Sequence, residues 1–316
     1  MIVGVDLGGS KINAILADAS GDIQARQVWE TRADEGPDAV IQRIVECARE
    51  LTAGVKVSGI GIGAAGGHDT RRGVITFSPN LPGWHDVPLC ETVRKEFNLP
   101  TYLHNDCTLA ALGEHRFGGG VGVDNLVYVG LGTGIGGGII IGGEVYSGTS
   151  GAAGEVGHMI IDVNGPPCTC GSNGCWESFA SGRAVAEEAR RQFEAGVPTA
   201  IRRHAGGDVK KVTAETVFRA AQDGDYVASE LISRTARYLG LGLVNLVNIF
   251  NPELIMIGGG LANMGSLLLD PAVEGVNERA FRVSSQAVRI ELTKLGADAA
   301  ALGAVALVAD REREQA

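Results

Sequence analysis

Residues 2–17 read IVGVDLGGSKINAILA, and this stretch indicates how the chain begins to fold. An apolar strand ends at Asp6, the chain reverses through residues 8–10, and a second strand follows at residues 12–17. Glycines let a backbone approach a phosphate closely, and nearby N–H and hydroxyl groups can bind its oxygens. The stretch is either an ordinary Gly-Gly hairpin or a phosphate-binding hairpin in which Asp6 holds Mg²⁺ through water.

A second glycine-rich turn, GLGTGIGGG at residues 130–138, lies between the predicted strands 126–131 and 138–141. A Rossmann glycine motif would lead into a helix, and a Walker A motif would end in Gly-Lys-Ser/Thr, so neither fits. We interpret the turn as a second phosphate hairpin that faces the first, within an internal duplication of one unit. A flexible turn is the alternative.

A third run of glycines, residues 258–260, follows the predicted strand 254–257. Such a turn can pack against a flat adenine or ribose, although a plain connection from strand to helix gives the same pattern.

In the rest of the sequence, stretches with the apolar periodicity of strands alternate with stretches that have the periodicity of helices. This alternation predicts layers of α/β structure. The 316 residues are enough for two domains that share a cleft. Further strands are predicted at residues 23–29, 57–62 and 101–104, helices at 38–51, 106–115, 238–250 and 297–313, and helix-prone sequence at 187–223.

The composition excludes several classes of function. The net charge of −10 argues against nucleic acid or an anionic membrane as the main partner. The sequence has neither a signal peptide nor an apolar run of about 18 residues, so we expect a cytoplasmic protein.

The segment His104-Asn105-Asp106-Cys107-Thr108 lies where a predicted strand ends and a helix begins. Asp106 could be only the N-cap of that helix. Its functional interpretation is a base that accepts a hydroxyl proton during phosphoryl transfer, a reaction in which catalysis is largely positioning. The amide of Asn105 could then bind a sugar hydroxyl.

A cluster of cysteines follows one histidine. His158 precedes Cys168, Cys170 and Cys175, with C-x-C and C-x₄-C spacing. Three thiolates and an imidazole match a closed tetrahedral zinc site, and a reducing cytosol favours metal over disulfides. The alternative is three incidental buried thiols.

Two carboxylates flank this cluster. Glu155 precedes His158 by three residues and Glu177 follows Cys175 by two. A zinc loop would fix both side chains, and carboxylates suit the hydroxyls of an uncharged sugar. The alternative for each is an exposed surface glutamate.

These motifs together resemble the ROK family of sugar kinases, and within it the bacterial ATP-dependent glucokinases. The resemblance extends from DLGG at residue 6 to GAD at residue 296, and its most specific part is EVGH at 155–158 followed by CTCGSNGCWE at 168–177. It implies an actin/hexokinase-like (ribonuclease H-like) fold of two α/β domains around a central cleft. The small domain would be residues 1–118 completed by the C-terminal helix 297–316, and the large domain would be residues 119–296.

The resemblance also implies an activity and its residues. The expected reaction is ATP-dependent phosphorylation of glucose, with Mg²⁺ on the nucleotide, a structural Zn²⁺, and a homodimer or homotetramer. Asp106 matches the catalytic base. The sugar-binding positions are Gly66, Asn80, Asn105, Asp106, Glu155, His158 and Glu177. The nucleotide-binding positions are Asp6, Gly8, Gly9, Ser10, Lys11, Gly132, Thr133, Gly134, Gly258, Gly259 and Gly260. The zinc ligands are His158, Cys168, Cys170 and Cys175.

Three alternatives stay open. The substrate could be fructose or an N-acetylhexosamine such as N-acetylmannosamine or N-acetylglucosamine, and the donor could be polyphosphate. The family also includes transcriptional repressors with an N-terminal helix-turn-helix domain. We expect no repressor, because the first hairpin starts at Asp6 and the charge is acidic.

Overall fold

Strands and helices alternate along residues 1–315, the part of the chain that the computed structural model describes. The α/β class predicted from the sequence is therefore confirmed. Ala316, the last residue of the predicted helix 297–316, lies outside the described residues. The strands are β1 (Ile2–Leu7), β2 (Lys11–Ala17), β3 (Ile23–Glu30), β4 (Gly59–Ala64), β5 (Gly67–Asp69), β6 (Val74–Phe77), β7 (His85–Val87), β8 (Thr101–Asn105), β9 (Leu126–Leu131), β10 (Ile135–Ile141), β11 (Glu144–Val145), β12 (Leu254–Gly258) and β13 (Arg289–Leu292). The helices are α1 (Pro37–Thr52), α2 (Leu89–Phe97), α3 (Asp106–Phe117), α4 (Glu177–Ala180), α5 (Gly182–Glu194), α6 (Ile201–His204), α7 (Ala214–Gln222), α8 (Tyr226–Phe250), α9 (Ser266–Arg279), α10 (Arg282–Ala287) and α11 (Ala299–Gln315).

The contacts divide the chain into two units. The first unit comprises Met1–Tyr128, Gly138–Gly154 and the segment from Thr293 onward. The second unit comprises Val129–Gly137 and Glu155–Leu292.

The first sheet has the strand order β3-β2-β1-β4-β8. β1 pairs antiparallel with β2 and parallel with β4, and β4 pairs parallel with β8. Register places Asp6 beside Gly63 and Ala64 beside Asn105. The carboxyl ends of three parallel strands therefore meet at one edge, which is where open α/β sheets bind ligands.

The second sheet repeats this order with later strands, as β11-β10-β9-β12-β13. Its β12 and β13 are parallel, and β10 and β11 form an antiparallel pair. The correspondence between the two orders supports the internal duplication inferred from the glycine-rich turns. A small antiparallel sheet, β5-β6-β7, belongs to the first unit.

Several predicted bounds were wrong, for local reasons. The helix predicted at 238–250 begins at Tyr226, because Asp225 caps it by accepting from the Ala228 N–H. The helix-prone stretch 187–223 is interrupted, with glycines at positive φ ending α5 and α6. The strand predicted at 138–141 starts at Ile135 and includes much of the glycine run.

Helix α11 packs directly on glycines of the first sheet. A Cβ atom added to Gly4 would lie 2.1 Å from the Ala301 carbonyl oxygen, and one added to Gly61 would lie 2.2 Å from that of Ala304. The glycines therefore let the helix backbone come close to the sheet. Val305 and Val308 are fully buried in the cluster that results.

None of the described helices is both long and apolar enough to cross a membrane.

We predict that Gly61→Ala destabilises the protein, because the new methyl group would overlap the helix backbone rather than a flexible side chain. Overpacking of this kind costs about 1–3 kcal/mol, which a urea unfolding curve can measure. Gly275→Ala in helix α9 is the matched control, because its Cβ would make only ordinary van der Waals contacts, with the flexible end of Arg279 at 3.4 Å and with the Gly240 Cα at 3.9 Å. There we expect a gain of roughly 0.5–1 kcal/mol. Equal stabilities for the two variants would contradict the close approach of α11 to the sheet.

Candidate functional site

The first glycine-rich turn is held from behind by Thr31. The Gly8 N–H donates to the Lys11 carbonyl at 2.9 Å and closes the turn. The fully buried Thr31 then binds two carbonyls of the turn, donating its N–H to Ser10 at 3.0 Å and its hydroxyl to Gly8 at 2.7 Å. These carbonyls point into the protein. These two hydrogen bonds therefore hold the turn in one conformation.

Two other candidate residues lie near this turn in the first unit. A Cβ atom on Gly9 would lie 2.8 Å from the Asn80 carbonyl oxygen, so Asn80 flanks the turn. Gly66 has φ of +107°, and a Cβ there would lie 2.2 Å from the Phe77 carbonyl oxygen. The backbone conformation thus accounts for a glycine at position 66.

Asp6 and Asp106 interact at the edge where β1 and β8 end. Burial, and second the charge of Asp106, raise the pKa of Asp6 to about 7. Burial also raises the pKa of Asp106, although the Cys107 N–H opposes this by donating to Oδ1 at 2.8 Å. Two carboxylates that disfavour each other's charge are typical of a site that takes a cation or a proton.

The N-cap of α3 is Asn105 rather than Asp106. Its Oδ1 accepts from the Thr108 N–H at 3.0 Å. The capping alternative for Asp106 is therefore unnecessary. The NH₂ group of Asn105 takes no part in the cap and keeps its capacity to donate.

Two histidines of the first unit, which the motifs did not single out as functional, have strongly lowered pKa values. The pKa of His104 is lowered to about 4, first by burial and second by the charge of Arg311. The pKa of His68 is lowered to about 4, first by burial and second by the charge of His104. His104 Nε2 lies 3.2 Å from Ser147 Oγ, and its Nδ1 accepts from the Asn105 N–H at 2.9 Å. Both rings are neutral near pH 7, and His104 orients the backbone before Asp106. Only the proximity of His104 to Asp106 in sequence could have indicated this.

The second glycine-rich turn, at Gly132, Thr133 and Gly134, is held by the N-terminus of α5. The Gly182 N–H donates to the Gly132 carbonyl at 2.9 Å, and the Arg183 N–H donates to the Thr133 carbonyl at 3.2 Å. The Gly132 N–H closes the turn onto the Gly134 carbonyl at 3.0 Å. As in the first turn, the carbonyls are directed into the protein.

Glu177 lies behind the same turn, and the alternative of an exposed surface glutamate is wrong for it. It is only 8% exposed. Its Oε2 accepts from the Ile135 N–H at 2.8 Å, and its Oε1 accepts from Arg183 Nη2 at 2.6 Å. A Cβ on Gly134 would lie 2.1 Å from Oε2, so glycine is required at that position. Sequence reasoning found Glu177 but not its partner Arg183.

The four predicted metal ligands converge. Their ligand atoms all lie within 4.8 Å of one another. His158 Nδ1 is 3.6 Å from Cys168 Sγ, and Cys170 Sγ is 3.6 Å from Cys175 Sγ. Tetrahedral zinc with Zn–S of about 2.3 Å and Zn–N of about 2.0 Å gives edges of roughly 3.5–3.8 Å, so the cluster fits such an ion.

The ionisation of the thiols also fits a cation. The pKa of Cys175 is raised to about 12, first by burial and then by its hydrogen bonds and the charges of Cys168 and Cys170. Burial also opposes ionisation of Cys168, but hydrogen bonds, beginning with that of the Cys170 backbone, lower its pKa to about 6. These opposite shifts of Cys168 and Cys175 indicate that a positive ion between the two thiols would favour ionisation of both.

Glycines and one tryptophan shape the segment 158–176, which contains the four predicted metal ligands and is called the metal loop below. Gly174 has φ of +71°, and a Cβ there would lie 1.6 Å from the Asp162 carbonyl oxygen. Trp176 is fully buried and donates Nε1–H to the Tyr238 carbonyl at 2.9 Å. Gly242 of α8 faces its indole, because a Cβ there would lie 1.9 Å from the ring. The loop is thereby fixed to α8.

Glu155 lies on the other side of the histidine ligand. Its Oε2 is 3.8 Å from His158 Nε2, the ring nitrogen that does not face Cys168. The Glu155 side chain is 52% exposed and that of His158 is 35% exposed. One nitrogen of His158 can therefore bind a metal while the other meets a ligand.

The third glycine run is close to the end of β9. Gly258 ends β12, and Gly259 has φ of +85° with its Cβ position 2.4 Å from the Leu131 carbonyl oxygen. Gly260 begins a short 3-10 turn that ends at Met264.

The candidate residues are distributed over both units. The first unit contains Asp6, Gly8, Gly9, Ser10, Lys11, Gly66, Asn80, Asn105 and Asp106. The second unit contains Gly132, Thr133, Gly134, Glu155, His158, Cys168, Cys170, Cys175, Glu177, Gly258, Gly259 and Gly260.

Known proteins resemble this chain over nearly its whole length. It is 34% identical to a glucokinase of Thermotoga maritima over 310 residues, which cover 98% of each chain. It is 38% identical to a putative xylose repressor of a Caldicellulosiruptor species, over 98% of this chain and 78% of that one. Among solved structures, a ROK family glucokinase of Streptomyces griseus in complex with glucose and AMPPNP matches with a TM-score of 0.87. That match has 35% identity and covers 97% of this chain and 98% of the other.

The sequence profile of the ROK family matches residues 2–311. Relatives above 30% identity match nearly the whole chain, and the structure contains both glycine-rich turns. The sequence and the fold therefore indicate the same family. The protein belongs to the ROK family, as its motifs implied.

Proposed function

We propose that the protein is a glucokinase, which transfers the γ-phosphoryl group of ATP to glucose and forms glucose 6-phosphate. The observation that carries the proposal is the pair of half-buried carboxylates with raised pKa values, Asp6 and Asp106, at the edge of the first sheet where open α/β sheets bind ligands. The likeness to the Streptomyces griseus glucokinase with glucose and AMPPNP supports both substrates.

Asp106 is the proposed base. It would accept the proton of the attacking sugar hydroxyl as the phosphoryl group departs from ATP. Burial raises its pKa above that of an exposed aspartate, which makes it a better proton acceptor. Its position is fixed by the Cys107 N–H and by the cap that Asn105 places on α3.

Asp6 is the proposed residue for Mg²⁺, held through water. Its raised pKa reflects burial and an uncompensated neighbouring charge, which a cation would offset. Mg²⁺ would supply neutralisation of the charge on the phosphates. The donor would bind the N–H groups of the turns at Gly8, Gly9, Ser10 and Lys11 and at Gly132, Thr133 and Gly134, with adenine or ribose near Gly258, Gly259 and Gly260.

The proposed sugar site consists mainly of acceptors, which suits a ligand made of O–H donors. Glu177 belongs to these acceptors, because its carboxylate has lone pairs beyond those that the Ile135 N–H and Arg183 occupy. The proposed contacts are Gly66, Asn80, Asn105, Asp106, Glu155, His158 and Glu177.

The proposed metal at His158, Cys168, Cys170 and Cys175 is zinc with a structural role. Its chemistry would be to hold the thiolates and the imidazole together in a closed site. The convergence of the four ligand atoms supports this.

The domain division, the oligomeric state and the location of the protein are also proposed here. We propose a small domain of residues 1–118 with the C-terminal helix, a large domain of residues 119–296, and a homodimer or homotetramer. The thiol-rich metal site suits the reducing cytoplasm, where ATP is also available.

A sugar-responsive regulator is the second candidate, favoured by the 38% identity to a putative xylose repressor. Catalysis separates the two, because a regulator needs to bind sugar but not to turn it over.

A panel of sugars with ATP and with polyphosphate tests the proposal. We predict the highest kcat/KM for glucose with ATP, lower values for mannose and 2-deoxyglucose, and poor values for N-acetylated sugars. A buried acceptor left without its hydroxyl costs about 1–3 kcal/mol, so each missing hydroxyl should cost roughly tenfold or more. A higher value for an N-acetylhexosamine would reject glucose but not kinase activity, while no turnover of any sugar would favour the regulator.

We predict that Asp106→Asn lowers kcat by about 100-fold or more, because the amide keeps the shape of the carboxylate but cannot accept the proton. Glucose affinity, measured by calorimetry without nucleotide, should change little, so the loss is in turnover. If the variant retained over about a tenth of the wild-type kcat, another group would have to be the base.

Protein purified without chelators should contain about one zinc per chain, as metal analysis would measure. We predict that Cys170→Ser releases the metal and weakens glucose binding, since His158 and the loop that carries Glu177 lose their anchor. Cys47→Ala is the control, because Cys47 is buried in the core of the first unit and should not affect zinc. Wild-type protein without zinc would remove the case for the site.

A further inference from the structure

One side chain that the proposed function does not use contacts both the metal loop and the partner of the second glycine-rich turn. Arg183 is the second residue of α5. Its Nη2 donates to Glu177 Oε1 at 2.6 Å and to the Thr169 hydroxyl at 3.4 Å. Thr169 lies between the metal ligands Cys168 and Cys170.

The backbone of the same residue contacts the turn itself. The Arg183 N–H donates to the Thr133 carbonyl at 3.2 Å, next to the bond from the Gly182 N–H to the Gly132 carbonyl. Side chain and backbone of Arg183 thus hold two different segments in fixed relation. One is the metal loop and the other is the glycine-rich turn.

Glu177 completes this connection. Its second oxygen accepts from the Ile135 N–H at 2.8 Å, directly after the turn. A carboxylate this buried needs a compensating charge, and Arg183 supplies it at hydrogen-bonding distance. Without the guanidinium, Glu177 would be a buried anion held by the Ile135 N–H without a neighbouring positive charge, and it would hold the turn less firmly.

We propose that Arg183 is a positioning residue for the phosphoryl donor, acting through Glu177 on the turn at Gly132, Thr133 and Gly134. The inference rests on the proposed function, in which that turn binds the nucleotide. It adds that Glu177, besides its proposed sugar contact, supports the donor side of the reaction through the Ile135 N–H. The metal loop is then a support for the nucleotide turn as well as for His158.

The chain offers two informative variants and a matched control. Arg183→Met keeps the length and the helix propensity of the side chain but removes the donors to Glu177 and Thr169. Arg183→Gln keeps a neutral donor to Glu177 and removes the ion pair. Arg191→Met is the control, because Arg191 lies on the same helix, is 70% exposed and pairs with Glu188 of α5 rather than with Glu177.

Binding of AMPPNP with Mg²⁺, measured by calorimetry on zinc-containing protein, is the main test. We expect Arg183→Met to weaken it by about tenfold, as for the loss of a charge-assisted contact, and to raise KM for ATP by a similar factor. KM for glucose should rise by a clearly smaller factor than KM for ATP, because the turn itself serves the donor, and a general loss of stability would not produce this split. Arg183→Lys should recover part of the loss, because it restores the charge without the planar fork.

Several outcomes would overturn the inference. They are AMPPNP affinity equal to that of Arg191→Met, or a larger rise in KM for glucose than for ATP. If Arg183→Met does not fold or loses zinc, Arg183→Gln decides by the same two measurements. Because AMPPNP binding needs no turnover, a wrong sugar assignment leaves the test intact. Wild-type protein that binds no AMPPNP would instead reject the proposed function, and this inference with it.

Discussion

A tight turn that presents its N–H groups to an anion must direct its carbonyl groups elsewhere. Both glycine-rich turns of this protein meet this constraint with a bond partner from another segment. Thr31 takes the carbonyls of Gly8 and Ser10, and the N-terminus of α5 takes those of Gly132 and Thr133. Unpaired buried carbonyls would be costly, so the bonds hold each turn in one conformation. The placement of Asp6, Glu177 and the metal loop follows from these two fixed points.

Asp6 and Asp106 differ from Glu177 in how their charges are compensated. The carboxyl end of β1 and the start of α3 bring Asp6 and Asp106 close enough to interact, and burial raises the pKa of both carboxyls. Their charge suits a cation. Glu177, in contrast, is buried with Arg183 beside it. The two aspartates are thus suited to bind a ligand, while Glu177 stabilises the second glycine-rich turn.

The sequence predicted the features that depend on local pattern. The hairpins, the strand before Asp106 and the Cys₃His cluster all follow from residue type and spacing, and the structure contains each of them. Contacts between segments that are distant in the sequence could not be predicted in this way. Neither Thr31 behind the first turn nor Arg183 beside Glu177 is signalled by its sequence neighbours, and His104 is signalled only by its proximity to Asp106. Helix α8 began earlier than expected because its first turns, from Tyr226, are polar on the outside and capped by Asp225, whereas hydropathy drew attention to the apolar half.

The contact between Trp176 and Gly242 limits how this protein can vary. The indole fills the space that a side chain at position 242 would need, and the distance of 1.9 Å leaves no tolerance for even a methyl group. A larger residue at 242 therefore becomes acceptable only after position 176 has become smaller. During divergence the two positions should covary, with the tryptophan replaced first. Anyone grafting this metal loop onto another ROK scaffold should transfer the glycine of α8 with it.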